Sequence, residues 1–329
     1  MELNTEIKTS TDPIFNKISK VIPEIEWKIH APLIYKINKL KKEKNAVVLA
    51  HNYQTPEIYH GIADFAADSL ALAIEASKTK ADIIIMCGVH FMAETAKLMN
   101  PNKKVLLPDM EAGCSLSSSI TGEDVRLLKK KYPGIPVVSY VNTSAEVKAE
   151  TDVCCTSANA VKVVESLKSK KVIFLPDDYL AKYVASNTDV EIISWKGTCI
   201  VHEQFTEKEI NEIRNQNPGI VVIAHPECPP DVIKASDFAG STTGMSKYVK
   251  NNQPKKVMMV TECSMSDNVQ VENPKVEFIK PCNLCPYMKK ITLPKILDCL
   301  EKENNEIIIP NNLIDKARQS VERMTSIGR

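Results

Sequence analysis

The sequence predicts an α/β protein of three repeated parallel-sheet domains in a pseudo-threefold, triangular arrangement around a central cavity. From Ala46 onward, short β-branched or apolar runs alternate with helical patterns, which favours parallel layers over a β-sandwich. Cys114, Cys199 and Cys285 stand 85 and 86 residues apart, each just after such a run, at 104–107, 190–195 and 276–279. An Asp precedes a hydroxyl residue by five positions three times: Asp64 to Ser69, Asp152 to Ser157 and Asp237 to Thr242. Landmarks that recur in one order at one spacing mark a repeated unit.

Residues 1–45 read as an N-terminal helical segment, a polar leader and then a helix with Leu33, Ile37 and Leu40 on one face. Its lysine-rich end, 39–44, is expected in solvent, and the segment is given a packing role. The repeats follow as 46–120, 121–205 and 206–290, and 291–329 is a C-terminal helical segment with a helix over 315–324. First strands end at His51, Tyr140 and His225, which precede the repeated Asp by 13, 12 and 12 residues. Third strands are expected at 82–87, 172–175 and 257–261, and fourth strands just ahead of the spaced cysteines. Each unit then reads β-α-β-α-β-α-β with right-handed crossovers. Linking helices over 122–132 and 206–215 stop near Pro133-Gly134 and Pro218-Gly219.

Lys plus Arg (42) nearly balances Asp plus Glu (41), so no long-range field marks the chain for nucleic acid or a membrane surface. The first thirty residues show no basic stretch followed by an apolar one, and no apolar run approaches membrane-spanning length. A cytoplasmic protein is expected, with its ten cysteines reduced or metal-bound rather than in a disulfide framework. Neither GxGxxG nor GxxxxGK[ST] occurs, which disfavours the usual nucleotide sites.

Sites in parallel sheets form at the carboxyl ends of strands, where the first-strand landmarks, the hydroxyls and the spaced thiols all fall. Ser69, Ser157 and Thr242 each stand at an expected helix start, where free N–H groups suit a carboxylate or phosphate. Capping is the ordinary role of such residues, but a triplicate pattern favours three anion sites. Three thiolates without a matching fourth suit an iron-sulfur cluster with one open iron, whereas structural zinc prefers four ligands from close pairs. Cys282, in the one CxxC with Cys285, is either a redox-active neighbour or unligated. Cys87, Cys154, Cys155, Cys228, Cys263 and Cys299 read as packing residues, with Cys87 and Cys228 at strand ends the main rival ligands. For acid-base work the candidates are His51, Tyr140, His225 and Glu227. His30 and His60 read as structural, His90 and His202 stay open, and Glu94 reads either as a helper or as part of a solvated face.

Several stretches resemble the quinolinate synthase family of the bacterial and archaeal de novo NAD pathway. They include His51-Asn-Tyr-Gln54, Met86-Cys-Gly-Val-His-Phe-Met-Ala-Glu-Thr-Ala96, Ala112-Gly-Cys-Ser-Leu116, Tyr140-Val-Asn-Thr-Ser-Ala-Glu-Val-Lys148 and Cys155-Thr-Ser-Ala-Asn159. Trp195-Lys-Gly-Thr-Cys199 through His202, His225-Pro-Glu-Cys228, Gly240-Ser-Thr242 and Cys285-Pro-Tyr-Met288 continue the match. The resemblance implies a transferase that condenses iminoaspartate with dihydroxyacetone phosphate to quinolinate, phosphate and water. It implies a 4Fe-4S cluster on Cys114, Cys199 and Cys285. It implies substrate contacts from His51, Ser69, Tyr140, Val141, Asn142, Ser157, His225, Pro226, Glu227 and Thr242. Catalytic roles fall to Glu227 as base, Tyr53 or Tyr140 as proton donor and His225 or His51 as orienting group. Two carboxylates and one phosphate would match the three anion sites in number. Ile279 stands where some members have the first Cys of a CxxCxxC, so a disulfide within that triplet is not expected in the same form. The expected partners are the two substrates and an L-aspartate oxidase or aspartate dehydrogenase that supplies iminoaspartate, in a monomer or homodimer. Two other classes compete: a different cluster-dependent hydro-lyase, and a non-catalytic three-domain protein with structural zinc.

Overall fold

The computed structural model describes residues 3–328, so Met1, Glu2 and Arg329, at the tips of the terminal segments, lie outside the described residues. Three four-stranded sheets form the body. The first holds β1 (Ala46–His51), β2 (Phe65–Ala67), β3 (Ile83–Cys87) and β4 (Lys104–Leu106). The second holds β5 (Val137–Tyr140), β6 (Val153–Cys155), β7 (Lys171–Leu175) and β8 (Glu191–Ser194). The third holds β9 (Val221–Ala224), β10 (Phe238–Ala239), β11 (Lys256–Val260) and β12 (Glu277–Ile279). All pairings within them are parallel, and each sheet runs second, first, third, fourth. The strand order therefore turns back at the first strand of every unit, and a crevice opens beyond its carboxyl end. Central residues such as Leu49, Ile84, Phe174 and Met258 are fully buried, as parallel strands covered on both faces require.

The repeated Asp has the same structural task in all three sheets. Oδ2 of Asp64 accepts from the Val48 amide at 2.8 Å, and Oδ2 of Asp152 and Asp237 accept from Val137 and Val222, both at 2.7 Å. The amides of the three Asp residues return bonds to the carbonyls of those same strand residues at 2.9, 3.1 and 2.8 Å. Each Asp thus fastens the loop before the second strand to the first strand.

The hydroxyls five positions on behave less uniformly. Helices Ser69–Lys78 and Thr242–Asn252 begin at the expected residues, but Asp68 and Ser241 cap them, accepting from Ala71 and Gly244 at 3.0 and 3.2 Å. In the second repeat Asn159 Oδ1 accepts from the Thr156 amide at 2.8 Å, closing a turn that delays the helix to Ala160–Ser166. Ser157 therefore precedes its helix, and the expectation of three equivalent helix-start sites is corrected to two. The linking helices, Gly122–Lys131 and Glu207–Gln216, open with capping boxes from Thr121 and Thr206. Their stops use Gly134 and Gly219 at φ 77° and 78°, which only glycine adopts without strain.

The polar leader is itself a helix, Thr5–Ile18, because Ile7 and Ile18 bury with Trp27 of the following helix Glu24–Glu43. Nor is 39–44 wholly solvated: the buried Lys41 Nζ bonds Asp64 Oδ1 at 2.8 Å and the Ile62 carbonyl. At the other end, Leu107 donates to Asn305 and Ile307 to Val105, at 3.1 and 2.9 Å, and these bonds cover the β4 edge. The helix Asn311–Ile327 ties the first two repeats together, with Arg318 Nε on the Leu98 carbonyl at 2.8 Å and Ser320 Oγ on the Lys148 carbonyl at 3.0 Å.

Replacing Asp152 by Ala should lower stability in chemical denaturation by about 1–3 kcal/mol, the range for leaving a strand amide unpaired. Asp152→Asn, which keeps an acceptor oxygen, should lose less.

Candidate active site

One cavity collects side chains from all three repeats at the carboxyl ends of their first strands. His51 and His225 make the same local turn: Nδ1 of His51 accepts from the Tyr53 amide at 3.2 Å, and Nδ1 of His225 from the Glu227 amide at 3.4 Å. Each ring, acceptor at Nδ1, carries its hydrogen on Nε2. For His225 that hydrogen points at Ser157 Oγ, 3.0 Å away in the second repeat. Burial pushes His51 down to about 4 and His225 down to about 3, against the upward pull of Glu227, so both rings are neutral near pH 7.

Glu227 is 4% exposed and sits where the repeats meet. Its Oε1 accepts from Tyr140 O–H at 2.5 Å and its Oε2 from His202 Nδ1–H at 2.7 Å. Burial opposes the charge, but the imidazoles of His225 and His202 and these two donors outweigh it and hold the carboxyl well below the usual range. Burial, then Glu227, push the phenols of Tyr53 and Tyr140 well above theirs, so both keep their hydrogens.

The other predicted contacts divide. Ser69, Asn142, Ser157 and Thr242 line the cavity, and Thr242 Oγ1 is held by Asn52 Nδ2 at 2.8 Å. Val141 and Pro226 do not line it. The turn around Val141 is instead pinned from behind by the fully buried Lys148, whose Nζ bonds the Val141 carbonyl at 2.8 Å and the Thr143 carbonyl. Glu94 is no solvated face: it accepts from the Ala145 amide at 3.0 Å and joins the first two repeats.

Cys114, Cys199 and Cys285 also line the cavity, and they alone among the described free cysteines are not fully buried. Burial raises all three thiols, Cys114 to about 12, and the Glu227 charge, then a neighbouring thiol, raise Cys114 and Cys199 further. Such groups give up their protons to a metal rather than to water, and the donor set fits a cluster held by three thiolates. Cys87 and Cys228 are buried away from the cavity. Cys263 and Cys282 are bonded to each other with Cα atoms 4.9 Å apart. That corrects the packing role for Cys263 and the expectation of reduced or metal-bound thiols for this pair, and it leaves Cys282 outside the ligand set. The cause is local: the parallel bridge from Glu262 to Asn283 lays the Cys285 loop beside the start of helix Cys263–Glu272.

His202 is the main residue that sequence reasoning left open. It is 1% exposed, stacks on His225 at 4.8 Å and has Nδ1 3.1 Å from Cys199 Sγ. Cys199, His202 and Glu227 bring three potential metal-ligating atoms within 4.8 Å of one another. The signals for it were its place three residues after Cys199 and the family-like stretch Trp195 through His202 that ends on it.

With this geometry in hand, comparison with known proteins decides the family. The family model described as NadA, quinolinate synthetase A protein, matches residues 35–326. The chain belongs to that family. It is 58% identical to "Quinolinate synthase" of Sinorhizobium fredii, over 98% of this chain and 89% of that one. It is 56% identical to "Quinolinate synthase 2" of Mesorhizobium japonicum, over 98% and 99%. It is 60% identical to "Quinolinate synthase" of Xylella fastidiosa, over 88% and 86%. The quinolinate synthase match takes in all three sheets and every cavity residue named above, and leaves out the helix Thr5–Ile18. The chain is thus an enzyme of that family, and no described helix is long and apolar enough to cross a membrane.

The depressed values of His51 and His225 fix a sign for the pH dependence of stability. Below the ordinary histidine value of 6.5 the unfolded chain binds protons that the folded one refuses, so their contribution is intact above 6.5 and lost toward 4 and 3. Thermal melts of the metal-free protein should fall as pH drops through this window, and His225→Gln should flatten the slope by about one proton. Equal slopes would contradict the assignment.

Proposed function

We propose that the chain condenses iminoaspartate with dihydroxyacetone phosphate to quinolinate, phosphate and water, using a 4Fe-4S cluster held by Cys114, Cys199 and Cys285. The observation that carries this reading is the set of three incompletely buried thiols, one after the fourth strand of each sheet, around the cavity that holds Glu227. When bound, the cluster supplies one iron without a protein ligand, a Lewis acid able to polarise a substrate oxygen.

The remaining work belongs to the chain's own side chains. Glu227, charged and accepting two hydrogen bonds, is the base that takes protons from the triose carbons. Tyr53 or Tyr140 returns a proton, since both phenols keep their hydrogens near neutral pH. His225 orients Ser157, and His51 faces the cavity from the opposite repeat. The two N-terminal helix ends at Ser69 and Thr242, with Ser157 and Asn142, offer donors to two carboxylates and a phosphate. Among the described residues no Lys or Arg lines the cavity, so these neutral donors, with the buried Lys148 behind the Asn142 turn, carry the anion binding. Val141 and Pro226 act through the backbone turns that set Asn142 and Glu227.

The same reading keeps domain limits of 46–120, 121–205 and 206–290, each contributing one thiol. It implies a cytoplasmic NAD-biosynthetic enzyme, monomeric or homodimeric. Because an imine hydrolyses readily, an L-aspartate oxidase or aspartate dehydrogenase would supply iminoaspartate. A second reading takes the clustering of Cys199, His202 and Glu227 as a mononuclear metal site with an open fourth position. It leaves Cys114 and Cys285 without a role.

Anaerobically purified protein should contain about four iron and four sulfide per chain and form quinolinate from the two substrates; one zinc without sulfide would favour the second reading. Cys199→Ser should bleach the visible absorption of the cluster, and a full iron complement in that variant would overturn the ligand set. Glu227→Gln should keep the iron and lose about 100-fold or more in kcat, the usual weight of a general base; unimpaired turnover would remove Glu227 from that role.

A further inference from the structure

Cys199, His202 and Glu227 bring a sulfur, a nitrogen and an oxygen within 4.8 Å of one another, and all three residues line the cavity. The nitrogen that lies close to both other donors is His202 Nδ1, 3.1 Å from Cys199 Sγ and 2.7 Å from Glu227 Oε2. Tetrahedral zinc, with bonds of about 2.0–2.3 Å, sets such donors about 3.4–3.6 Å apart, so these gaps need to widen by less than about 1 Å. The thiol and the ring are neighbours by local structure, because the Glu203 amide bonds the Cys199 carbonyl at 3.0 Å and closes the turn between them. Outer partners stand ready for the other two ligands: Tyr140 holds Oε1 of Glu227, and His202 Nε2 faces a hydroxyl, that of Thr261, at 3.0 Å. Charge favours a divalent cation as well. A thiolate and a carboxylate cancel its two charges, which leaves a neutral complex where His202 is 1% and Glu227 4% exposed.

We propose that the cluster-free chain binds one zinc ion on Cys199 Sγ, His202 Nδ1 and Glu227 Oε2, and that this ion and the cluster exclude each other because both need Cys199. On binding, the Cys199 thiol releases its proton to solvent and the ring hydrogen passes from Nδ1 to Nε2, with nothing oxidised or reduced. Neither Cys114 nor Cys285 belongs to the group, so the ion takes one of the three cavity thiols and leaves its fourth position to water. Zinc held in this way is an inhibitor of cluster assembly and not a cofactor. The exclusion rests on the proposed cluster ligands, while the zinc site stands on the geometry alone.

The test loads metal-free protein with zinc and, separately and without oxygen, with iron and sulfide. X-ray absorption at the zinc edge of the wild type should show one sulfur neighbour, the rest being nitrogen or oxygen; two or three sulfurs overturn the proposal. Three variants should then part the two metals. Cys114→Ser should keep zinc and lose the cluster. His202→Gln should lose at least about 100-fold in zinc affinity, more than an outer partner costs, and still take up iron and sulfide. Cys199→Ser should lose both. Zinc affinity unchanged in His202→Gln, or lost in Cys114→Ser, overturns the site. A slight excess of zinc added before iron and sulfide should cut cluster formation in the wild type at least about tenfold by mass action and leave it unchanged in His202→Gln. Equal inhibition in the two, or quinolinate formed by the zinc-loaded protein, overturns the exclusion. Should a variant not fold, the zinc-edge spectrum of the wild type decides. A wild type that takes up no iron and sulfide even without zinc would sink the cluster reading and leave that spectrum to judge the zinc site.

Discussion

Glu227 keeps a charge at a point where only 4% of the residue meets solvent, and it does so because hydrogens arrive from two directions. Tyr140 comes from the end of β5 in the second sheet, and His202 from the short 3-10 turn His202–Gln204 that leads into the third. Either donor lost would leave a buried carboxylate short of a partner, a penalty of about 1–3 kcal/mol or more for a charged group. The second and third repeats are thus held in one relative position by the group proposed as the base. The clasp Asn52 to Thr242, with Asn268 Nδ2 on the Asn52 and Gln54 carbonyls at 3.1 and 2.8 Å, does the same for the first and third.

Three copies of one sheet do not give three copies of one site. The shared strand order brings His51, Tyr140 and His225 to equivalent edges, and the shared Asp locks each first strand. Divergence begins one layer out. Just past the third strands stand Gly88, Asp177 and Thr261-Glu262, and of these only the last couples a cavity tyrosine to a histidine. Glu262, fully buried, takes Lys289 Nζ at 2.8 Å and the Cys285 amide at 3.4 Å, so the same corner also anchors the thiol loop. Lys289 in turn bonds the Tyr53 carbonyl at 2.9 Å, which ties that loop to the first repeat. Asymmetry of this kind allows a near-symmetric frame to carry an asymmetric cavity.

What depends on periodicity was readable before the structure. Third strands fall within one residue of the β-branched runs that announce them, and the Gly stops fall where Pro-Gly pairs mark them. What depends on tertiary pairing was not. The leader looks polar because most of its helix faces solvent and few residues, Ile7, Thr11 and Ile18, turn inward. Lys41 sits in a lysine run but finds Asp64, and Glu94 finds a helix amide of the next repeat. Ser157 shares its spacing with Ser69 and Thr242, yet Asn159 two residues later redirects the chain into a turn. His202 has no counterpart in the other repeats, where Ser117 and Met288 stand three residues after the spaced Cys, and its position between Cys199 and Glu227 exists only after the second and third sheets meet.

The central claim is that one thiol from each repeat grips a common inorganic core that leaves a single iron open beside Glu227. Mössbauer spectroscopy of anaerobic, 57Fe-enriched protein tests this most directly when quinolinate is added. The account predicts that one iron site of four changes its parameters on binding while the other three hold theirs. Four irons that stay indistinguishable and indifferent to the added acid would contradict it.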